Sequence, residues 1–107
     1  MKQRPEPLPD HEVNASLTAL AHAFAQLKTA DEVARFLDDL CTPAELEALV
    51  DRWRVVPLLQ QGVPYREIHE RTGVSVTTVG RVARTLDRGA GGYAIAARRT
   101  ARTQESH

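Results

Sequence analysis

The sequence predicts an all-α fold built from short amphipathic helices. Apolar residues recur every three or four positions through the middle of the chain, as they do on one face of a helix. Residues 29–32 (TADE) and 42–45 (TPAE) have the Thr-x-x-Glu pattern of a capping box, which marks a helix start. No segment has the alternating pattern of a strand. A chain of 107 residues has room for one domain.

The first half of the chain is predicted to contain an arm and three helices. Residues 1–13 are polar and rich in proline, and we expect them to form a flexible arm. A first helix is expected to begin near residues 14–16, and a second after the capping box at 29–32. The third should begin at Pro43, because proline is favoured at the first helical position. We expect it to kink or end early at Pro57, which removes one backbone hydrogen bond.

The second half predicts two short helices joined by a tight turn at residues 72–74. Ser75 is expected to cap the second of these helices. We therefore predict a helix-turn-helix over about residues 64–87, within a helical domain of residues 14–88. Apolar residues stand where two such helices must pack together, at Ile68, Val74, Val79 and Val82.

The last part of the chain, residues 89–107, is predicted to leave this domain. Glycines at 89–92 favour a flexible connection. A short helix is expected from Tyr93 to about Thr100, followed by a flexible tail.

Several functional classes are not favoured by the composition. One cysteine, Cys41, excludes an intramolecular disulfide and fits a reducing cytoplasm. The start lacks the apolar core of a signal peptide, and no apolar run reaches membrane-spanning length. The chain has no metal-ligand spacing and no catalytic motif, so we expect neither an enzyme nor a metal site. The four histidines are scattered, at His11, His22, His69 and His107.

Charge is distributed unevenly along a chain whose net charge is zero. Residues 1–62 hold six Lys and Arg against ten Asp and Glu, a net of −4. Residues 63–107 hold eight Arg against four acids, a net of +4. This asymmetry favours an acidic half used for assembly and a basic half that binds nucleic acid, with a chance dipole as the alternative.

The outer face of the predicted recognition helix carries small hydroxyls and arginines. Thr77 and Thr78 lie in its first turn, where a threonine hydroxyl and methyl group can contact bases, although one of them could instead support the helix cap. Arg81 is expected to contact a guanine, a phosphate or an effector, and Arg84 a phosphate. Gly80 would allow close approach of DNA or a ligand; simple tolerance of a poor helix former is the alternative.

The first helix of the predicted motif supplies two further candidates. Arg66 and His69 lie on its outer side, within reach of backbone phosphates, whereas His69 could instead pack against the turn. The predicted partner is double-stranded DNA. A protein-interaction module, whose basic face would meet an acidic partner, is the alternative from another class.

The first three helices have apolar faces too broad for one thin layer to cover. A second copy of the chain is the simplest covering surface, and a twofold dimer would set two recognition helices about 34 Å apart, one turn of DNA. The apolar residues in question are Leu17, Phe24, Phe36, Leu37, Leu49 and Trp53.

Residues 36–93 resemble the Trp-repressor superfamily, and most of all its YerC/YecD-type branch. The resemblance implies an intertwined all-α homodimer, and a transcriptional repressor whose paired fourth and fifth helices bind a near-palindromic operator. It also implies a bacterial, cytoplasmic protein that is associated with the nucleoid when bound. The motifs that carry it are LCTPAEL at 40–46, REI, TG and TTVGRV within 66–82, and GAGGY at 89–93.

The resemblance further implies an effector site between the third helix and the recognition helix. In tryptophan-responsive members two arginines flank the indole, and two hydroxyl residues hold the head group. Val82 stands where those members have glycine, and its branched side chain would intrude on an indole, although it also suits a buried position of an ordinary helix-turn-helix. L-Tryptophan, another amino-acid-like co-repressor and no effector therefore stay open. The matching residues are Thr42, Arg52, Arg81 and Thr85.

Arg52 has a second interpretation that needs no effector. It could form an ion pair with Asp51, with Glu45 or with an acid of a partner chain.

Overall fold

The structure, a computed structural model, describes residues 7–105, which form six α-helices and contain no strand. The all-α prediction is confirmed for these residues. None of the described helices is long and apolar enough to cross a membrane. The helices are α1 (Asp10–Gln26), α2 (Ala30–Leu40), α3 (Pro43–Gln60), α4 (Tyr65–Thr72), α5 (Val76–Arg88) and α6 (Gly92–Glu105).

The chain divides into two compact units, and the first contains α1 and α2 and ends at Cys41. Within it the rings of Phe24 and Phe36 meet edge to face, with their centroids 5.0 Å apart. No described residue of α1 or α2 is buried, and Leu17 is 62% exposed. The apolar side chains of α1 and α2 that the structure describes therefore stay at least partly exposed.

Helix α1 begins earlier than the sequence predicted. Residues 10–13, expected in a flexible arm, are helical, because the Pro9 carbonyl accepts hydrogen bonds from the N–H groups of Glu12 and Val13 at 3.0 and 3.1 Å. Acidic side chains at Asp10 and Glu12 also favour a helix start electrostatically. Residues 7–9 of the predicted arm precede the helix, and residues 1–6 lie outside the described residues.

Side-chain caps start helices α2 and α3, as predicted, with one difference. Thr42 and Glu45 form a complete capping box, in which each side chain accepts the other's backbone N–H, at 3.2 and 2.8 Å. The hydroxyl of Thr29 accepts from Glu32 N–H at 3.1 Å, but the Glu32 carboxylate accepts from Lys28 N–H rather than from Thr29. The first box is therefore not reciprocal.

Two helix ends also differ from prediction. Helix α3 does not end early at Pro57 but continues to Gln60, and Leu58 and Leu59 beyond the proline pack against the core. The kink, the other expectation for Pro57, stays a prediction. Helix α6 continues to Glu105 and so includes residues that were predicted to form a flexible tail after about Thr100. Its sequence is rich in alanine and arginine, which favour a helix. Residues 106–107 lie outside the described part.

The core lies entirely in the second unit, where α3, α4, α5 and α6 pack together. Its buried hydrophobic side chains are all β-branched, and they include all four positions predicted for the helix-turn-helix. Tyr93 and Ala97 of α6 pack against this core from outside. The buried set is Val55 and Val56 of α3, Ile68 of α4, Val74 between the helices, and Val79 and Val82 of α5.

The capping box of α3 makes helix stability depend on pH. The backbone N–H of Thr42, and then its hydroxyl, hold the pKa of the Glu45 carboxyl below its usual range. A carboxyl whose pKa is lowered by folding contributes stability above its unfolded pKa, which is lost as pH falls through the lowered value. We predict that Glu45→Gln is less stable than the native chain at pH 7 and equally stable well below that pKa, by thermal unfolding. An equal deficit at both pH values would contradict this.

Candidate nucleic-acid interface

Hydrogen bonds from both sides fix the connection between α4 and α5. Gly73 takes a left-handed conformation (φ +77°) that ends α4, and its N–H donates to the His69 carbonyl at 2.8 Å. The Thr72 hydroxyl donates to the Ile68 carbonyl at 2.7 Å and accepts from Val74 N–H at 3.1 Å. The direction in which α5 leaves the turn is therefore set by bonds within the turn.

His69 belongs to this network. Its Nδ1 lies 2.8 Å from the Val74 carbonyl oxygen. Because a carbonyl only accepts, Nδ1 must carry the proton and donate. His69 therefore packs against the turn, one of the two alternatives that the sequence left open, while the residue as a whole stays exposed.

The exposed face of α5 carries one hydroxyl and three arginines. Thr77, Arg81, Arg84 and Arg88 follow one another at helical spacing, and all are exposed. Arg88 pairs with Asp87 at 3.4 Å. Arg81 and Arg84 have no acidic partner among the described residues, so their charge is available to an external anion. We call Thr77, Arg81, Arg84 and Arg88 the basic face.

Thr78 does not share this face with Thr77. It is half-buried, its N–H donates to the Ser75 hydroxyl oxygen at 3.1 Å, and its own hydroxyl accepts from Ser75 at 3.0 Å. The predicted Ser75 cap is confirmed, and Thr78 is the member of the threonine pair that supports it.

Gly80 does not lie on the outer face of α5, where the sequence predicted it. It is buried, because two side chains lie over it. A Cβ atom built on Gly80 would be 3.5 Å from Arg84 Nη1 and 3.7 Å from Tyr65 Cε2, which are ordinary contacts. A small side chain would therefore fit.

The first of the two helices presents Arg66 to solvent. Arg66 is exposed and forms no ion pair with any described residue, whereas the next charged pair on the helix, Glu67 and Arg71, is closed by a salt bridge. Among the cations of α4, Arg66 is thus the one free to meet an external anion.

The four predicted effector residues are not brought into one cavity. Thr42 caps α3, and the Thr85 hydroxyl donates to the Arg81 carbonyl at 3.0 Å. Arg52 is half-buried and forms no ion pair within residues 7–105, since Asp51 pairs instead with Arg54 at 3.9 Å.

An open cavity of about 330 Å³ lies where α5 passes into α6. Of the predicted effector residues only Thr85 lines it. Most of its lining is apolar, as in many small-molecule sites. The lining residues are Thr85, Leu86, Ala90, Gly91, Gly92, Tyr93 and Ala94.

Val82 is a core residue. Its side chain is 1% exposed and packs in the β-branched cluster. The space beside α5 at this position is therefore filled by the protein itself. No group of three or more His, Cys, Asp or Glu side chains within the described part could hold a metal ion.

Two residues near the basic face were missed from the sequence. Tyr65 of α4 lies over Gly80 of α5, and because this approach crosses between helices, no local sequence pattern indicates it. Val76, the first residue of α5, is 47% exposed beside Thr77. An apolar residue is not a usual candidate for a nucleic-acid contact, so the residue type gave no signal.

These features place the chain among small all-α proteins in which a capped helix presents a basic face. More narrowly, the chain belongs to the Trp repressor protein family, whose family model matches residues 15–101. It is 38% identical over 88 residues to the protein YerC of Bacillus subtilis (strain 168), itself described as uncharacterized, covering 82% of this chain and 85% of that protein.

Two crystal structures resemble the fold. One is of a protein from Staphylococcus aureus described as a candidate Trp repressor, with 32% identity and a TM-score of 0.76, covering 88% of this chain and 95% of that one. The other is of a TrpR-like protein from Eubacterium eligens ATCC 27750, with 34% identity and a TM-score of 0.75, covering 81% and 90%.

The space over Gly80 leads to a prediction about stability. Gly80→Ala should raise the free energy of unfolding by up to about 1 kcal/mol, because alanine is the better helix former and its Cβ makes only ordinary contacts. Chemical denaturation measures this. Gly73→Ala is the matched control and should lose about 1 kcal/mol, since its φ is positive. Destabilisation by Gly80→Ala would contradict the contacts described.

Proposed function

We propose that this chain is a dimeric transcriptional regulator, a repressor that binds a near-palindromic DNA operator. The observation that carries the proposal is the basic face of α5, where Arg81 and Arg84 are exposed and have no acidic partner among the described residues. In this proposal α4 and α5 act as a helix-turn-helix, and α5 enters the major groove.

The contacts divide by chemistry. Thr77 and Arg81 would contact base edges, since a hydroxyl can bond any base and an arginine fork matches guanine. Arg66 and Arg84 would contact phosphates, and the exposed edge of His69 would meet the backbone beside the turn. Thr78 and Gly80 would act indirectly, through the cap and through the packing of α5.

A second copy of the chain is the proposed partner. In the middle of α3, Leu49, Val50 and Trp53 are exposed apolar residues, and the first unit buries none of its described residues. So small a core stabilises a chain weakly unless another surface covers such faces. Two copies would also present two recognition helices to successive turns of DNA.

The function is tested with duplexes selected by the native chain from a random-sequence pool. We expect the selected duplex to bind at least about 10³-fold more tightly than an unrelated duplex, with affinity falling steeply as salt rises. Arg81→Ala and Thr77→Ala should reduce that preference. The control is Arg35→Ala, which removes an exposed arginine of α2 that pairs with Asp31.

Two outcomes would contradict the proposal. If neither α5 variant alters binding to any duplex, α5 is not the recognition helix, and the basic face belongs to a protein-interaction module that meets an acidic partner. If the chain sediments as a monomer at micromolar concentration, two recognition helices cannot bind the two halves of an operator together.

We further propose that operator binding does not depend on L-tryptophan. Val82 stands at the position of α5 where tryptophan-responsive members of the family have glycine, and its side chain is buried. An amino-acid-like co-repressor of another kind would bind beside Thr85, the one residue of the predicted set Thr42, Arg52, Arg81 and Thr85 that lines a cavity. The apolar cavity beside Thr85 favours a small effector, because its volume of about 330 Å³ lies at the lower end of the range for ligand sites.

Isothermal titration calorimetry with L-tryptophan tests this part. We expect no saturable heat with the native chain and no change in its affinity for the selected duplex. Val82→Ala, rather than Val82→Gly, is the comparison, because alanine opens space without placing a glycine in the helix. Micromolar binding of tryptophan by the native chain would contradict the expectation.

A further inference from the structure

An exposed aromatic ring lies across the recognition helix at the one position where that helix has no side chain. Tyr65 is the first residue of α4 and is 43% exposed. Its Cε2 atom and the Arg84 Nη1 atom both lie within 4 Å of the point where a Gly80 Cβ would stand. We call Tyr65, Gly80 and Arg84 the Tyr65 cluster.

The Arg84 side chain turns back along its own helix to reach this cluster. Arg84 is one helical turn beyond Gly80, yet its guanidinium lies beside Gly80, so the side chain runs back toward the start of α5. That end of a recognition helix is the one that approaches DNA. An exposed arginine otherwise samples many rotamers, and ordering them on binding opposes affinity.

The fold does not require the Tyr65 ring for its core. Helices α4 and α5 are already joined by Ile68 and Val79, which are fully buried, and by the hydrogen-bonded turn. The ring instead lies outside that core, against a buried glycine. Within residues 7–105 Arg84 has no acidic partner that could hold it in place.

We propose that Tyr65 is a positioning residue that holds the Arg84 guanidinium in place for a phosphate contact. It acts through its ring, by packing, and not through its hydroxyl. This inference rests on the proposed function, because it assigns a role within the same DNA-binding face. Gly80 contributes to the Tyr65 cluster because it leaves room for the side chains of Tyr65 and Arg84.

The test is a double-mutant cycle on the duplex that the native chain selects. Tyr65→Phe should bind within about twofold of the native chain, because the ring is kept. Tyr65→Ala and Arg84→Ala should each weaken binding about tenfold, the usual effect of losing a hydrogen bond to a charged group. The double variant should be no weaker than Arg84→Ala, and both single variants should reduce the salt dependence equally.

A matched pair of substitutions at Gly80 tests the same positioning of Arg84. Gly80→Ala should bind like the native chain, because its Cβ makes only ordinary contacts, whereas Gly80→Leu should displace both neighbours and reproduce the Arg84→Ala loss. Thermal unfolding of every variant separates lost binding from lost fold.

Three binding results would overturn the inference: native-like binding by Tyr65→Ala, additive losses in the double variant, or a Tyr65→Phe loss as large as that of Tyr65→Ala. If the native chain selects no duplex, the proposed function fails, and NMR relaxation of the Arg84 Nε–H group decides the positioning role. Restricted motion should then persist in Tyr65→Phe and be lost in Tyr65→Ala. Equal motion in all three would refute it.

Discussion

The orientation of α5 depends on a small core made only of β-branched side chains. Five valines and one isoleucine from α3, α4, α5 and the turn form it. Such side chains are restricted to few rotamers in helices, so they fit together in few ways. Helix α4 has eight residues and would be marginal alone. Its position, and therefore the side of α5 that is left exposed, follows from this packing.

Hydrogen bonds in the turn add to the packing of the core in fixing the orientation of α5. Packing decides which faces of α4 and α5 meet, but it leaves the path between them open. The bonds from Thr72, His69 and Ser75 satisfy backbone groups at the end of one helix and the start of the next. Core and turn together therefore leave α5 little freedom to rotate, so its basic face is held on one side of the unit.

The parts of this site that sequence could predict are those determined by neighbouring residues. The box at Thr42 follows from a pattern four residues long, and the cap at Ser75 follows from the preference for serine at a helix start. Ile68 and Val79 follow from helical spacing. Gly80 was misplaced because Tyr65, which covers it, belongs to another helix. The start of α1 was missed because Pro9 offers no side-chain cap, only its carbonyl. Local chemistry was predictable, whereas contacts between helices were not.

Helix α3 connects the two proposed interfaces. Its middle exposes Leu49, Val50 and Trp53, and Val55 and Val56, which follow closely, lie in the core against which α5 packs. In the proposed dimer, a partner covering the exposed residues would thus pack beside the residues that orient the recognition helix. Both sets of residues precede Pro57 and lie in the same helix, so α3 would carry both contacts. The separation of two recognition helices would then be set by packing along α3. In such an arrangement no bound ligand is required to position α5, since Val82 already fills the space that a ligand would occupy.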